Sequence, residues 1–105
     1  MTAIEHVLIL GAGWVGQQTA ARLARFGLSV WLADRSPQAC TAAVEWMREL
    51  PEFAPDPSWI ERVRISPGVQ EHYATGVPVD LVIESVPEQV SLKKRVLRKL
   101  SATFP

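Results

Sequence analysis

Three glycines and one aspartate near the start of the chain have the spacing of a dinucleotide-binding turn. Gly11, Gly13 and Gly16 follow a continuous apolar run, and Asp34 lies eighteen residues beyond the last of them. In such a turn the first glycine permits a sharp bend at a strand end, the second leaves space for a pyrophosphate, and the third lets a helix pack closely on the strand. The helix start offers free N–H groups and a positive dipole end to the anion. The pattern therefore predicts a phosphate-binding turn, although glycine turns also occur without a ligand.

Asp34 bears on the choice of cofactor. A carboxylate at the end of a second strand accepts hydrogen bonds from the adenosine ribose hydroxyls and repels a 2′-phosphate, so it favours NAD over NADP. A turn or helix-cap role is the plainer alternative, because aspartate is common in such turns. The neighbouring Arg35 could tolerate a 2′-phosphate, yet we expect NAD to be preferred. The predicted cofactor-contacting residues of this half of the chain are Gly11, Ala12, Gly13, Trp14, Val15, Gly16, Asp34 and Arg35.

The elements that must hold these residues follow from hydrophobic periodicity. Residues 4–10 form a compact apolar segment, which is typical of a central parallel strand covered on both faces. A helix follows over residues 15–26 and ends at Gly27, a residue suited to a helix C-terminus. Helical spacing predicts that its inward positions are Val15, Thr19, Ala20, Leu23 and Phe26.

A second strand over residues 28–33 ends in Asp34, and a second helix begins just after it. Ser36 is the expected N-cap and Pro37 the first helical residue. The predicted buried positions of this helix are Cys40, Ala43, Val44, Met47 and Leu50.

The rest of the chain alternates between weak and strong patterns. In order, it predicts a proline-containing loop (51–58), a helical turn (59–62), a short third strand (63–66), a helical turn (70–74), a fourth strand ending in a proline-containing turn (80–88) and a last helix (90–102). The last helix is strongly basic, and its predicted inward positions are Val90, Leu97, Leu100 and Phe104.

Two separated motifs together resemble the NAD-binding domain of the 3-hydroxyacyl-CoA dehydrogenase family. They are residues 11–16 with Asp34, and residues 80–88 followed by Lys93. The resemblance covers essentially the whole chain. It implies an α/β fold with a Rossmann-type parallel sheet in the order 3-2-1-4, helices on both faces, and NAD lying across the carboxyl ends of the strands. It also implies cofactor contacts from the turn after the fourth strand and from the following helix, at Val86, Pro87, Glu88 and Lys93.

Two of those residues have plainer interpretations when the residues are taken alone. Glu88 suits the first turn of a helix, where an acid interacts favourably with the helix dipole. Lys93 suits a solvated position on a basic helix, since lysines are mostly exposed.

By this resemblance, we expect the chain to correspond to only part of a complete family member. Residues 1–105 are predicted to form a single dinucleotide-binding domain, without the later strands, the catalytic histidine and its glutamate, or the helical substrate domain. We therefore assign no catalytic residue. The stretch between the second and third strands is also shorter than is usual in the family. The substrate of a complete enzyme is accordingly expected to be an acyl-CoA, an acyl group on a carrier, or a small 3-hydroxy acid.

Functions from different classes suit these features. The first is the NAD-binding portion of an oxidoreductase that exchanges hydride between NAD and the 3-hydroxyl carbon of its substrate. The alternative is a stand-alone NAD(H)-binding or redox-sensing module without catalysis. A third interpretation is a relic half-domain that binds no nucleotide.

Composition excludes other classes. A formal net charge of zero gives no general attraction for nucleic acid or an anionic membrane. A single cysteine, Cys40, and two distant histidines do not make a zinc site, and a lone cysteine fits a reducing compartment such as the cytoplasm. A pair of His72 with Glu88 could act in acid–base chemistry, but we expect His72 to be an ordinary surface-loop histidine.

The fourth strand also predicts how the chain assembles. In a complete fold of this type another strand pairs with it, and here that strand is missing. An unpaired apolar edge invites another chain. We therefore expect a homo-oligomer, or a requirement for the remainder of the fold.

Overall fold

The computed structural model describes residues 4–50, 57–85 and 90–103. In these ranges the chain forms, in order, β1 (His6–Leu10), α1 (Trp14–Arg25), β2 (Ser29–Ala33), α2 (Pro37–Arg48), a 3₁₀ helix (Pro57–Arg62), β3 (Val63–Ile65), α3 (Val69–Ala74), β4 (Leu81–Glu84) and α4 (Val90–Thr103). The predicted order of elements is confirmed. Most of the predicted proline-containing loop, and the turn at residues 86–89, lie outside the described residues.

The four described strands form one parallel sheet in the order β3-β2-β1-β4, as predicted. Both faces of β1 are covered. Val7 and Ile9 pack in a core with residues of α1 and α2, whereas Leu8 and Leu10 pack on the other face with Leu100 of α4. This two-sided burial explains why the strand sequence is a continuous apolar run rather than an alternating one.

The buried face of α1 differs from the predicted one. Val15 and Phe26 are 64% and 87% exposed, so their predicted inward positions are wrong. The residues that face the sheet are small: Gly16, Ala20, Ala21 and Ala24. Small side chains let the helix approach the strands closely. The helix therefore packs through its glycine and alanine face and not through the face that carries its largest apolar residues.

The inward stripe of α4 also differs from the prediction at one position. Leu97 is 54% exposed, whereas Val96 and Leu100 pack against the sheet and Thr103 is buried. These three residues lie at successive helical turns, so they share one face of the helix. Phe104 and the side chain of Val90 lie outside the described residues.

The expectation of a surface position for His72 is wrong. It lies in α3, is only 1% exposed, and packs edge-on against Trp31 with 4.9 Å between ring centroids. Burial lowers the pKa of His72, so the ring is neutral at pH 7. Its Nε2 atom has no hydrogen-bond partner within the described chain. Glu88, the other member of the possible pair, lies outside the described residues.

Asp80 joins the amino ends of β1 and β4. Its carboxylate accepts hydrogen bonds from the backbone N–H groups of Glu5 and His6, both at 2.9 Å. Both hydrogen bonds lower the pKa of Asp80, and the bond from Glu5 has the larger effect. The bonds help to fix the register of β4 on β1, and so bring the carboxyl ends of the two strands level.

None of the helices in the described ranges combines the length and the apolar composition needed to cross a bilayer.

Candidate functional site

A groove of about 990 Å³ opens at the carboxyl ends of the strands. Leu10 at the end of β1, Ala33 at the end of β2 and Ser85 just after β4 contribute to its wall. The helices that follow β1 and β4 pack on opposite faces of the sheet, so the connections that leave these two adjacent strand ends diverge. This is the topological switch point at which open α/β sheets bind ligands.

Hydrogen bonds fix the glycine turn between its neighbouring strands. The Gly11 N–H donates to the Ala33 carbonyl at 2.7 Å, and the Ser85 N–H donates to the Leu10 carbonyl at 2.7 Å. Gly11 has φ 110°, a value that favours glycine. A Cβ atom on Gly16 would collide with the Gly11 carbonyl oxygen. The fold itself therefore requires glycine at positions 11 and 16.

Gly13 is different, because no contact in the described part of the chain requires a glycine there. Its φ of −77° and ψ of −168° are open to any residue, and apart from the adjoining residues a Cβ atom there would meet no described atom within 4 Å. The vacant space borders the groove. A glycine that the fold does not need, at the start of a helix and facing a groove, leaves room for a group outside the protein. The turn therefore fits the pyrophosphate of a dinucleotide.

Asp34 lies on the groove wall and is tied to the glycine turn. One carboxylate oxygen accepts from the Ala12 N–H at 2.8 Å, and the other accepts from the Ser36 N–H at 2.9 Å. Asp34 therefore stabilises the turn, which is the plainer alternative that the sequence left open. The same bonds fix the carboxylate at the end of β2, where it could also face a ribose. Arg35 is exposed and lines the same groove.

The start of α2 follows the prediction. The Ser36 hydroxyl accepts a hydrogen bond from the Ala39 N–H at 3.3 Å, and Pro37 is the first helical residue. Both residues favour a helix that begins directly after Asp34.

An exposed aromatic pair lies beside the turn. Trp14 is 66% exposed and lines the groove, as Val15 does. The Trp14 ring lies 5.4 Å from that of Trp46 in α2, at an interplanar angle of 59°. Trp14 therefore packs against Trp46 of α2 at the edge of the groove.

The family resemblance predicted a cofactor contact from α4 at Lys93, but sequence reasoning missed the other residues of this helix that reach the groove. Arg95, Val96 and Lys99 line it. The available signal was the spacing of Arg95 and Lys99 on either side of the inward Val96. Val86, Pro87 and Glu88 lie outside the described residues, and for Lys93 only its position in the first turn of α4 is described.

The described part of the groove offers binding groups rather than a nucleophile. Cys40 is buried in the core and does not line the groove, and burial, together with the charge of Asp34, raises the pKa of the thiol to about 11. The thiol is therefore protonated at neutral pH. Among the described residues, no three His, Cys, Asp or Glu side chains are placed to hold a metal ion.

Comparison with known proteins gives a consistent set of matches. Residues 6–105 match the family model described as "3-hydroxyacyl-CoA dehydrogenase, NAD binding domain". Over 103 residues the chain is 33% identical to 5-formyl-3-hydroxy-2-methylpyridine 4-carboxylate 5-dehydrogenase of Mesorhizobium japonicum. It is 29% identical, also over 103 residues, to the peroxisomal bifunctional enzyme of Cavia porcellus. These matches cover 92% and 94% of this chain.

Among solved structures, the (S)-3-hydroxybutyryl-CoA dehydrogenase of Ralstonia eutropha is 26% identical, with a TM-score of 0.82. The match covers 96% of this chain and 38% of that protein. The chain spans only 32% of the Mesorhizobium enzyme and 14% of the Cavia enzyme. It therefore corresponds to one part of these larger proteins.

Proposed function

Because the chain belongs to the 3-hydroxyacyl-CoA dehydrogenase family, as an NAD-binding domain, we propose that it is the cofactor-holding part of an NAD-dependent oxidoreductase. Residues 1–105 make up this domain. In the proposed reaction hydride moves between the nicotinamide and the 3-hydroxyl carbon of the substrate. We assign no proton-transferring residue within the chain.

The vacant space at Gly13 is the observation that carries this proposal. Gly11 and Gly16 shape the turn, Gly13 leaves it open, and Asp34 stands at the end of the next strand. The cofactor contacts that we propose are therefore the turn residues 11–16 together with Asp34 and Arg35. The remaining proposed contacts, from the family resemblance, are Val86, Pro87, Glu88 and Lys93.

For the substrate we propose a broad class rather than a single compound. The solved relative acts by its name on a hydroxybutyryl-CoA, whereas the Mesorhizobium relative acts by its name on a substituted pyridine. The family resemblance therefore supports an acyl thioester of fatty acid metabolism, an acyl group on a carrier, or a small hydroxy acid. The peroxisomal name belongs to the Cavia protein. For this chain we propose the cytoplasm, from its single buried thiol.

Calorimetric titration with NADH and NADPH tests the proposed function. We expect NADH to bind with a dissociation constant on the order of micromolar or weaker, because one domain supplies only part of a cofactor site. NADPH should bind more weakly, since the Asp34 carboxylate repels a 2′-phosphate. Absence of NADH binding would count against the proposal. Equal or tighter binding of NADPH would show that Arg35 outweighs Asp34.

A stand-alone redox-sensing module is the second candidate. Neither histidine in the described chain lines the groove: His6 starts β1, and His72 is a buried residue of α3. A sensor would leave bound NADH unoxidised with any 3-oxoacyl thioester even in the protein of which this chain is the cofactor-holding part, whereas the proposed oxidoreductase would oxidise NADH there.

The edge of β4 supports a proposal about assembly. Among the described strands β4 pairs only with β1, and its Leu81 is 40% exposed. We expect the chain to self-associate through this edge or to pair there with the remainder of a longer protein. Sedimentation at several concentrations measures this, and a monomer throughout the range would contradict it.

A further inference from the structure

Arg95 and Lys99 give the groove a cationic wall that the glycine turn does not supply. They lie one helical turn apart in α4 and both line the groove. The helix contains no Asp or Glu to neutralise them, and Glu71 of α3, the acid that lines the groove nearest to α4 in the fold, forms no ion pair with either. Within the described chain, neither side chain takes part in an ion pair or a hydrogen bond. Their charges are therefore available to a ligand.

The other side of the groove has little positive charge of its own. Residues 11–16 contain no basic side chain, so an anion there meets only backbone N–H groups and the dipole of α1. Among the described residues that line the groove, Arg35 is the remaining cation, and it adjoins the carboxylate of Asp34. The negative charge of a dinucleotide pyrophosphate would thus be only partly balanced by the turn.

We propose that Arg95 and Lys99 form a clamp that holds the cofactor pyrophosphate from the α4 side of the groove. The inference rests on the proposed function. The helices α1 and α4 pack on opposite faces of the sheet, so the groove between them receives the helix dipole from one side and two cations from the other. Charge-assisted hydrogen bonds from guanidinium and ammonium groups to phosphate oxygens are stronger than neutral ones.

The same helix offers a matched control. Lys94 and Arg98 are also exposed and basic, but they do not line the groove. The double variant Arg95→Gln/Lys99→Gln and the control Lys94→Gln/Arg98→Gln therefore change the net charge equally. All four side chains are exposed, so neither double variant should disturb packing, which a thermal melt followed by circular dichroism verifies.

The experiment is calorimetric titration of the 105-residue chain with NADH, with ADP, which carries the adenosine half of NADH and a diphosphate, and with free coenzyme A. We expect Arg95→Gln/Lys99→Gln to weaken NADH and ADP binding about tenfold, since each solvent-exposed charge pair contributes modestly. The control should change either affinity less than about twofold. The salt dependence of NADH binding should be smaller in the groove variant than in the control, because salt screens the lost interactions.

Three results would overturn the clamp. They are unchanged NADH and ADP affinity in the groove variant, equal weakening in both double variants, and weakening of free coenzyme A binding alone. The last result would assign the cations to a phosphate of the substrate. Failure of the proposed function looks different, because the unaltered chain would then not bind NADH at all.

Discussion

Gly13→Val is expected to abolish NADH binding while leaving the chain folded. The valine side chain would occupy the space beside the turn, where no described atom beyond the adjoining residues lies within 4 Å of an added Cβ. We expect affinity to fall about a hundredfold or more, which corresponds to about 3 kcal/mol. The backbone at Gly13 is extended and accepts a branched residue, so the cost in stability should be about 1 kcal/mol, for a poorer helix N-cap. Calorimetry measures the affinity and a thermal melt the stability.

Gly16→Ala is the matched counterpart, because it tests the glycine that the fold needs. A Cβ atom there would collide with the backbone oxygen of Gly11, which no flexible side chain can relieve. We expect this variant to lose about 1–3 kcal/mol of stability through overpacking. If Gly13→Val binds NADH as well as the unaltered chain does, the turn is structural and the groove is not the cofactor site.

Asp34→Asn is expected to remove the preference for NADH over NADPH. An amide carries no charge to repel a 2′-phosphate, and it binds ribose hydroxyls less strongly, so NADH affinity should fall about tenfold. The substitution also affects the fold, because the two carboxylate oxygens accept from Ala12 and Ser36. An amide can accept at only one of these positions, so we expect a loss of about 1–3 kcal/mol in stability.

Ser36→Ala separates the two effects of that substitution. It removes the hydroxyl that accepts from the Ala39 N–H and should cost about 1 kcal/mol of stability. It keeps the Asp34 carboxylate and the Ser36 N–H, so the ratio of NADH to NADPH affinity should not change. An unaltered preference for NADH in Asp34→Asn would show that the carboxylate acts only within the turn.

Local patterns predicted most of the elements, because the required residues are close in sequence. The run before Gly11 predicted a strand buried on both faces, and β1 is packed on both sides. Ser36 and Pro37 predicted the start of α2 to the residue. The strand order came from the family resemblance rather than from any local pattern, and the sheet confirms it.

Helix faces were predicted less well, because a helix packs by shape as well as by hydrophobicity. In α1 the closely packed face is made of glycine and alanine, which leaves Phe26 exposed. The helix α3 has only six residues, which is too short for a useful periodicity. His72 is buried because this helix packs against Trp31 of β2. In both cases the deciding contacts join residues that are distant in sequence.

The sequence by itself determined the glycine turn, the acid at the end of β2 and the order of elements around them, because each depends on a few adjacent residues. Only the tertiary structure separated Gly13, which the fold leaves free, from Gly11 and Gly16, which it requires. Only the tertiary structure brought Arg95 and Lys99 to the groove wall. Both distinctions depend on how α1 and α4 pack on opposite faces of one sheet, and that packing is set by contacts between segments far apart in the chain.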